Sequence, residues 1–172
     1  NYTGEALSLE ELSHLLHYTG GITETSTGFR AAPSAGALYP IELYIVANQV
    51  AGLDRGIYHY LVREHTLEEV AQGDFRGATV AAALGQEMVG RASVNFVLSA
   101  IFQRTRWRYQ ERSYRYILLE TGHMAQNLYL AAGPLGLGAC AVGAFLDDEL
   151  NRLLGLDGVK EAMLYLVALR KL

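Results

Sequence analysis

Cysteine occurs once, at Cys140, so an internal disulfide and a thiolate metal cluster are excluded. That scarcity fits a reducing compartment. Proline occurs only three times in 172 residues, and 51% of the chain is hydrophobic. This composition disfavours disorder and supplies enough apolar volume for one core. Basic residues are the minority charge: 14 Lys and Arg against 18 Asp and Glu leave a net charge of −4. A generic binder of nucleic acid or of an anionic membrane is therefore not expected. No apolar run is long enough to span a bilayer, and no signal-peptide pattern opens the chain. Internal repeats and low-complexity tracts are lacking too. The expectation is one cytoplasmic domain.

What is present is organised around residues 114–145, YRYILLETGHMAQNLYLAAGPLGLGACAVGAF. Tyr114, Ile117, Leu118, Thr121, Ala125, Leu128, Ala132 and Leu135 follow the spacing of one buried helix face. Leu119, Met124 and Leu130 are apolar as well, which predicts cover on more than one side. Gly133-Pro134 ends the helix. Small residues from Gly136 to Gly143 then let backbone approach something flat or charged, which suggests a cofactor platform. The letters Gly136-x-Gly138-x-x-Ala141 match a dinucleotide fingerprint in the wrong context, since a helix precedes them and a strand follows. A tight helix-to-strand turn remains the plain alternative.

Elsewhere the chain alternates short elements. Ser8-x-x-Glu11 is a capping box that opens a helix ending at Gly20-Gly21. On it, His14 and His17 lack a third ligand and read as surface or edge residues. Residues 23–28 read as a loop. Arg30 and the turn Pro33-Ser34-Ala35-Gly36 follow. Successive N–H groups in such a turn can cradle an anion, with Arg30 adding charge; a rigid connector is the alternative. Residues 41–47, 56–62 and 67–70 read as strands, with His59 a partly exposed strand residue. Asp74 is expected to cap a short helix, and residues 92–102 form the clearest, central strand. Asp147 caps a helix closed by Gly155, and residues 163–169 make the last strand, followed by Arg170 and Lys171.

Between residues 103 and 116 the character changes. Arginines at 104, 106, 108, 112 and 115 interleave with Trp107, Tyr109, Tyr114 and Tyr116. Arginine and aromatics together can hold single-stranded nucleic acid, but the acidic balance argues against it. A solvated or dimer-facing helix start, with ion pairs to Glu111 and Glu120, is the structural alternative. The enzymatic reading makes Tyr109 the acid–base group, with Arg108 as the cation that favours its phenolate. Glu120-x-x-His123 has the spacing of a di-iron ligand pair but occurs once where two are needed.

Four motifs, in order, carry a resemblance: Ala32-Pro-Ser-Ala-Gly-Ala-Leu-Tyr-Pro40, Gly56-Ile-Tyr-His-Tyr60, Tyr114-Arg-Tyr116 running into Glu120-Thr-Gly-His-Met-Ala-Gln-Asn-Leu128, and Gly136-Leu-Gly-Ala-Cys-Ala-Val-Gly143. Together they resemble the flavin-dependent nitroreductase superfamily, in its SagB-type dehydrogenase or azoline-oxidase branch. The resemblance spans nearly the whole chain. It implies an α+β fold: a central, mostly antiparallel sheet flanked by helices, with a long buried core helix. It also implies a single domain over residues 1–172, a homodimer, and FMN at the subunit interface. Pro33, Ser34, Ala35 and Gly36 match the loop against the flavin, with Arg30 beside it. Gln86 matches a polar position reaching the ring or ribityl chain. Ala141, Val142 and Gly143 match backbone facing the isoalloxazine, and Arg170 matches a basic residue near the phosphate. The branch's catalytic Lys-Tyr pair falls on Arg108 and Tyr109, so arginine stands where the branch has lysine. The family's Arg-Arg-Ser-type phosphate segment is expected just before Asn1. The implied activity is oxidation of peptide thiazolines or oxazolines to azoles, with cyclodehydratase-type partner enzymes. An NAD(P)H-dependent nitro- or quinone reductase, and a non-catalytic scaffold in a peptide-modifying complex, are the alternatives.

Overall fold

The structure, a computed structural model, describes residues 5–172. Residues 1–4, next to the expected phosphate segment, lie outside the described residues. Helix α1 (Leu9–Gly20) opens with the expected capping box: the Ser8 side chain accepts the Glu11 N–H and the Glu11 carboxylate accepts the Ser8 N–H. The polar stretch expected as loop contains a short hairpin, β1 (Ile22–Glu24) with β2 (Phe29–Arg30). Then come β3 (Ile41–Ala47), β4 (Gly56–Leu61) and β5 (Thr66–Gln72), followed by the short helices α2 (Arg76–Ala82) and α3 (Glu87–Arg91). The second half holds β6 (Val94–Ile101), α4 (Gln103–Tyr109), α5 (Ser113–Ala132), β7 (Leu137–Val142), α6 (Asp147–Leu154) and β8 (Glu161–Lys171).

Six strands form one sheet in the order β5-β4-β3-β6-β8-β7, and every neighbouring pair is antiparallel. The two central strands, β3 and β6, are buried on both faces because helices cover both sides. Their alternation sorts residues between two cores. Leu43, Ile45, Phe96 and Leu98 pack with Leu12 and Leu15 of α1 and Ile117 and Leu128 of α5. Tyr44, Val46 and Val97 pack with Ala82, Val89, Leu150 and Leu154 from α2, α3 and α6. The fold is α+β, as the resemblance implied.

Details differ from the sequence expectation for physical reasons. On α5, Ile117, Thr121, Ala125, Leu128 and Ala132 are buried, but Tyr114 and Leu118 are 58% and 59% exposed. Leu119 and Leu130 are exposed too, whereas Met124 is buried in the core that includes Leu12 and Leu15 of α1, so among the described residues only part of the expected cover is present. The periodicity identified an apolar helix, while the sheet reaches only one sector of it. Asp74 is not the N-cap of α2, which is Phe75; its carboxylate accepts the Arg76 N–H from one position earlier. Similarly, Leu146 is the N-cap of α6 and Asp147 its first residue, where acidic side chains favour the helix dipole. Arg170 and Lys171 lie within β8 rather than beyond it.

Candidate functional site

The turn between β2 and β3 is the most constrained backbone in the chain. Gly36 has φ 63°, and two residues with side chains follow it into the left-handed region, Ala37 at 54° and Tyr39 at 46°. Such backbone is costly and persists only where its surroundings hold it. Here the Tyr39 N–H donates to the Ser34 hydroxyl at 2.9 Å. The Arg30 N–H donates to the Tyr39 hydroxyl at 3.1 Å, and the Arg30 guanidinium lies 4.5 Å over the Tyr39 ring. Arg104 of α4 donates to the Tyr39 carbonyl at 3.1 Å.

α4 also brings Arg108 and Tyr109 onto this turn. A methyl group built on Gly36 would lie 2.8 Å from the Tyr109 hydroxyl and 3.1 Å from the Arg108 guanidinium. The Tyr109 ring is braced edge-on by Tyr116 at 4.8 Å, with the Arg108 guanidinium 5.6 Å from its centroid. The structure thus gathers Arg30, Ser34, Gly36, Arg108 and Tyr109, with Pro33 and Ala35 completing the turn.

Sequence reasoning missed the acid of this neighbourhood. Glu120, expected in surface ion pairs, is 3% exposed in the middle of α5. Burial pushes its carboxyl up to about 7, against the opposing pull of the Ser34 hydroxyl and the Arg30 charge. Its one sequence signal is a lone carboxylate set among apolar helix positions. No ion pair among the described residues joins Glu111 to the arginine-rich segment.

A polar network adjoins the turn at the end of the sheet, around a cavity of about 260 Å³. His59 sits 2.7 Å from the Glu42 carboxylate, which also takes Arg104. His59 is therefore held, not merely exposed. Its pKa is raised, chiefly by the hydrogen bond to Glu42. Burial works to raise Glu42, but His59 and Arg104 outweigh it and the net direction is down. The neighbouring Tyr44 phenol is raised by burial and by Glu161, which also takes the Ser99 hydroxyl at 2.5 Å.

The remaining expected site residues gather at the other end of α5. The Ala141 N–H donates to the Tyr129 hydroxyl at 2.7 Å. Val142 is buried, whereas Gly143 is exposed on the turn after β7. The Gln86 amide donates to the Ala83 and Ala144 carbonyls at 2.9 and 2.8 Å, tying this turn to the end of α2. Arg170 pairs across the sheet with Gly138 and lines a cavity of about 210 Å³ with Arg91, Met88, Cys140 and Leu172. Glu120 and Tyr129 are nine residues apart, so α5 spaces the two groups by roughly 13–14 Å along its axis. Among the described residues no cluster of three or more His, Cys, Asp or Glu could hold a metal ion.

The nitroreductase family profile matches residues 1–169. The chain belongs to the nitroreductase family. A protein of Methanocaldococcus jannaschii bearing the nitroreductase name is 39% identical over 153 residues, covering 89% of this chain and 77% of that protein. The microcin B17-processing protein McbC of Escherichia coli is 31% identical over 158 residues, covering 88% of this chain and 57% of McbC. Among solved structures, the E. coli microcin synthetase McbBCD complex with truncated pro-MccB17 bound superposes over the whole chain, at TM-score 0.88 and 28% identity, covering 67% of that chain. These likenesses support the SagB-type branch of the nitroreductase family that the motifs pointed to. No helix of this nitroreductase-family chain, among the described residues, is long and apolar enough to cross a membrane.

Proposed function

We propose that the chain is an FMN-dependent oxidoreductase that oxidises thiazolines or oxazolines in a peptide to thiazoles or oxazoles. The observation that carries this reading is the placement of the Tyr109 hydroxyl and the Arg108 guanidinium over Gly36. Forming the aromatic ring removes two hydrogens, one as a proton and one as a hydride. Tyr109 is positioned to take the proton as general base, and Arg108 to stabilise the phenolate that does so. Arginine keeps the charge of the branch's lysine but does not give up a proton, so the base is the tyrosine alone. Tyr116 holds the ring of Tyr109 in place, and the turn Pro33-Ser34-Ala35-Gly36, with Arg30 beside it, would lie against the flavin.

The residues present fit FMN. Arg170 and Arg91 beside one cavity suit a phosphate, and the exposed backbone at Gly143 suits a flat ring at close approach. When bound, FMN supplies the hydride acceptor, which oxygen then reoxidises. We further propose a homodimer, supported by the uncovered apolar residues of α5. Its peptide substrate would be prepared by cyclodehydratase-type partners in the cytoplasm, an arrangement the likeness to a microcin synthetase complex supports. We also propose that residues 1–172 form one nitroreductase-like domain.

The first test is a visible spectrum of the purified protein, with the chromophore released by denaturation. About one FMN per chain is expected. A colourless protein that also fails to bind added FMN would sink the catalytic reading and favour the scaffold alternative. With FMN bound, Tyr109→Phe is expected to abolish azole formation while retaining the flavin; normal turnover by that variant overturns the base assignment. Arg108 in the lysine's place bears on the scaffold alternative; the nitro- or quinone-reductase alternative has a kinetic test of its own. Steady NAD(P)H oxidation with a nitroaromatic acceptor, without azoline conversion, would favour it.

A further inference from the structure

Helix α4 has little packing to hold it. Of its seven residues only Thr105 is buried, and no side chain caps its start. Arg106, Trp107 and Arg108 are exposed. Yet this helix brings Tyr109 and Arg108 against Gly36. The group that ties it down is Arg104, four residues before Arg108 and so on the same face. Its Nη1 donates to the Tyr39 carbonyl at 3.1 Å and to the Glu42 carboxylate. One guanidinium nitrogen thereby joins three segments: α4, the turn 34–39 and the start of β3. The bonds of Arg30 and Ser34 to Tyr39 close the turn on β2 and on itself, whereas that of Arg104 joins it to α4.

The acceptor is itself braced. Glu42 is 9% exposed, and Arg104 takes one of its carboxylate oxygens while His59 Nε2 lies 2.7 Å from the other. The His59 ring stacks on Tyr44 at 4.5 Å, so the carboxylate is held from β4 as well as from α4. Charge-assisted bonds of this kind are shorter and stronger than neutral ones. The two N–H bonds of one nitrogen also leave the guanidinium in fixed directions, which sets where α4 lies and not merely that it is near.

We propose that Arg104 is a positioning residue which, anchored on Glu42, fixes the distance from the Tyr109 hydroxyl and the Arg108 guanidinium to the turn at Gly36. Its effect on turnover rests on the azoline-oxidase reading above; its effect on the placement of α4 does not. A base displaced by about 1 Å loses on the order of a hundredfold in rate. Arg104 itself acts through Tyr109 and Arg108, so the loss falls on kcat rather than on KM.

The test pairs hydrogen exchange, read by mass spectrometry on the full chain, with azoline turnover in Arg104→Met, Arg104→Lys and Glu42→Gln. Arg104→Met keeps the aliphatic stem and removes the donors. Exchange over residues 103–109 is expected to quicken about tenfold, with β6 and α5 unchanged. In turnover its kcat should fall on the order of a hundredfold, with KM little changed. Arg104→Lys keeps the charge and the donors and should restore most of both. Glu42→Gln should quicken the same residues less, and should add little when combined with Arg104→Met. Unchanged exchange over 103–109 in Arg104→Met, or a kcat that stays near wild type, overturns the proposal. So do exchange that rises equally over β6 and α5, a Lys variant no better than the Met variant, and additive effects of the Arg104 and Glu42 changes. If the wild type forms no azole with FMN bound, the functional reading fails, while exchange over 103–109 still decides the role of Arg104.

Discussion

Replacing Gly36 with alanine separates two costs that the structure assigns to one position. The first is conformational. At φ 63° a side chain sits in the left-handed region, which costs roughly 1–2 kcal/mol. The second is collision: the new methyl would lie 2.8 Å from the Tyr109 hydroxyl and 3.1 Å from Arg108. Tyr109 cannot yield freely, because Tyr116 packs against its ring. Forcing it off its rotamer adds about 0.5–1.5 kcal/mol. Gly28 provides the control, with φ 75° and nothing within 4 Å of its built methyl. Gly28→Ala should therefore lose about 1–2 kcal/mol and Gly36→Ala about 1.5–3.5 kcal/mol by urea unfolding. Activity should divide them further. Displacing Tyr109 by about 1 Å should cost Gly36→Ala on the order of a hundredfold in turnover, with Gly28→Ala near wild type. Equal losses of stability and activity in the two variants would show that Tyr109 does not rest over Gly36.

Other elements make separate demands. Leu128→Ala, at a fully buried position where α5 meets the sheet, should cost about 2–5 kcal/mol in urea unfolding; a loss under about 1 kcal/mol would mean that this face of α5 is not core. The hydrogen bond from Glu42 raises His59 above its ordinary 6.5, so its stabilisation is complete below pH 6.5 and is lost as pH rises through the folded value. His59→Gln should be destabilised relative to wild type at low pH and approach it above that value; a gap independent of pH refutes the pairing. Leu118→Glu puts a charge on the uncovered face of α5, where Leu118 is 59% exposed, and should shift sedimentation of the proposed dimer to monomer with the fold intact. An unchanged dimer places the interface elsewhere.

The legible parts of this chain were those decided locally. The capping box at Ser8 and Glu11 needs four consecutive residues, and it formed as read. The runs in β3 and β6 are long and apolar enough to be central strands in any arrangement. Pairings set by register were less legible. His59 lies opposite Tyr44 on β3, which brings its ring beside Glu42 of that strand, and nothing in either strand alone announces the pair. Glu120 was misread for a related reason. A glutamate on a helix normally faces water, and this one is 3% exposed because it lies in the sector of α5 that faces the interior, with Thr121 and Met124. Tyr114 and Leu118 show the limit of periodicity, which measures angles around a helix without telling which sector the sheet will cover.

The same helix explains why the site and the uncovered face belong to one problem. Its inner face is fixed in the core by Ile117, Ala125 and Leu128, so α5 cannot rotate to hide Leu118 or Leu130 without exposing them. Along its length it carries the buried Glu120 and, nine residues on, Tyr129, whose hydroxyl accepts the Ala141 N–H of β7. A rigid helix of 20 residues thus sets the distance between the proposed base and the proposed flavin-facing backbone, and its outer side is the surface on which a second copy would rest. The loops that α5 meets are held by a few hydrogen bonds each, whereas its inner face is held by packing. A change in assembly should for this reason alter the site before it alters the core.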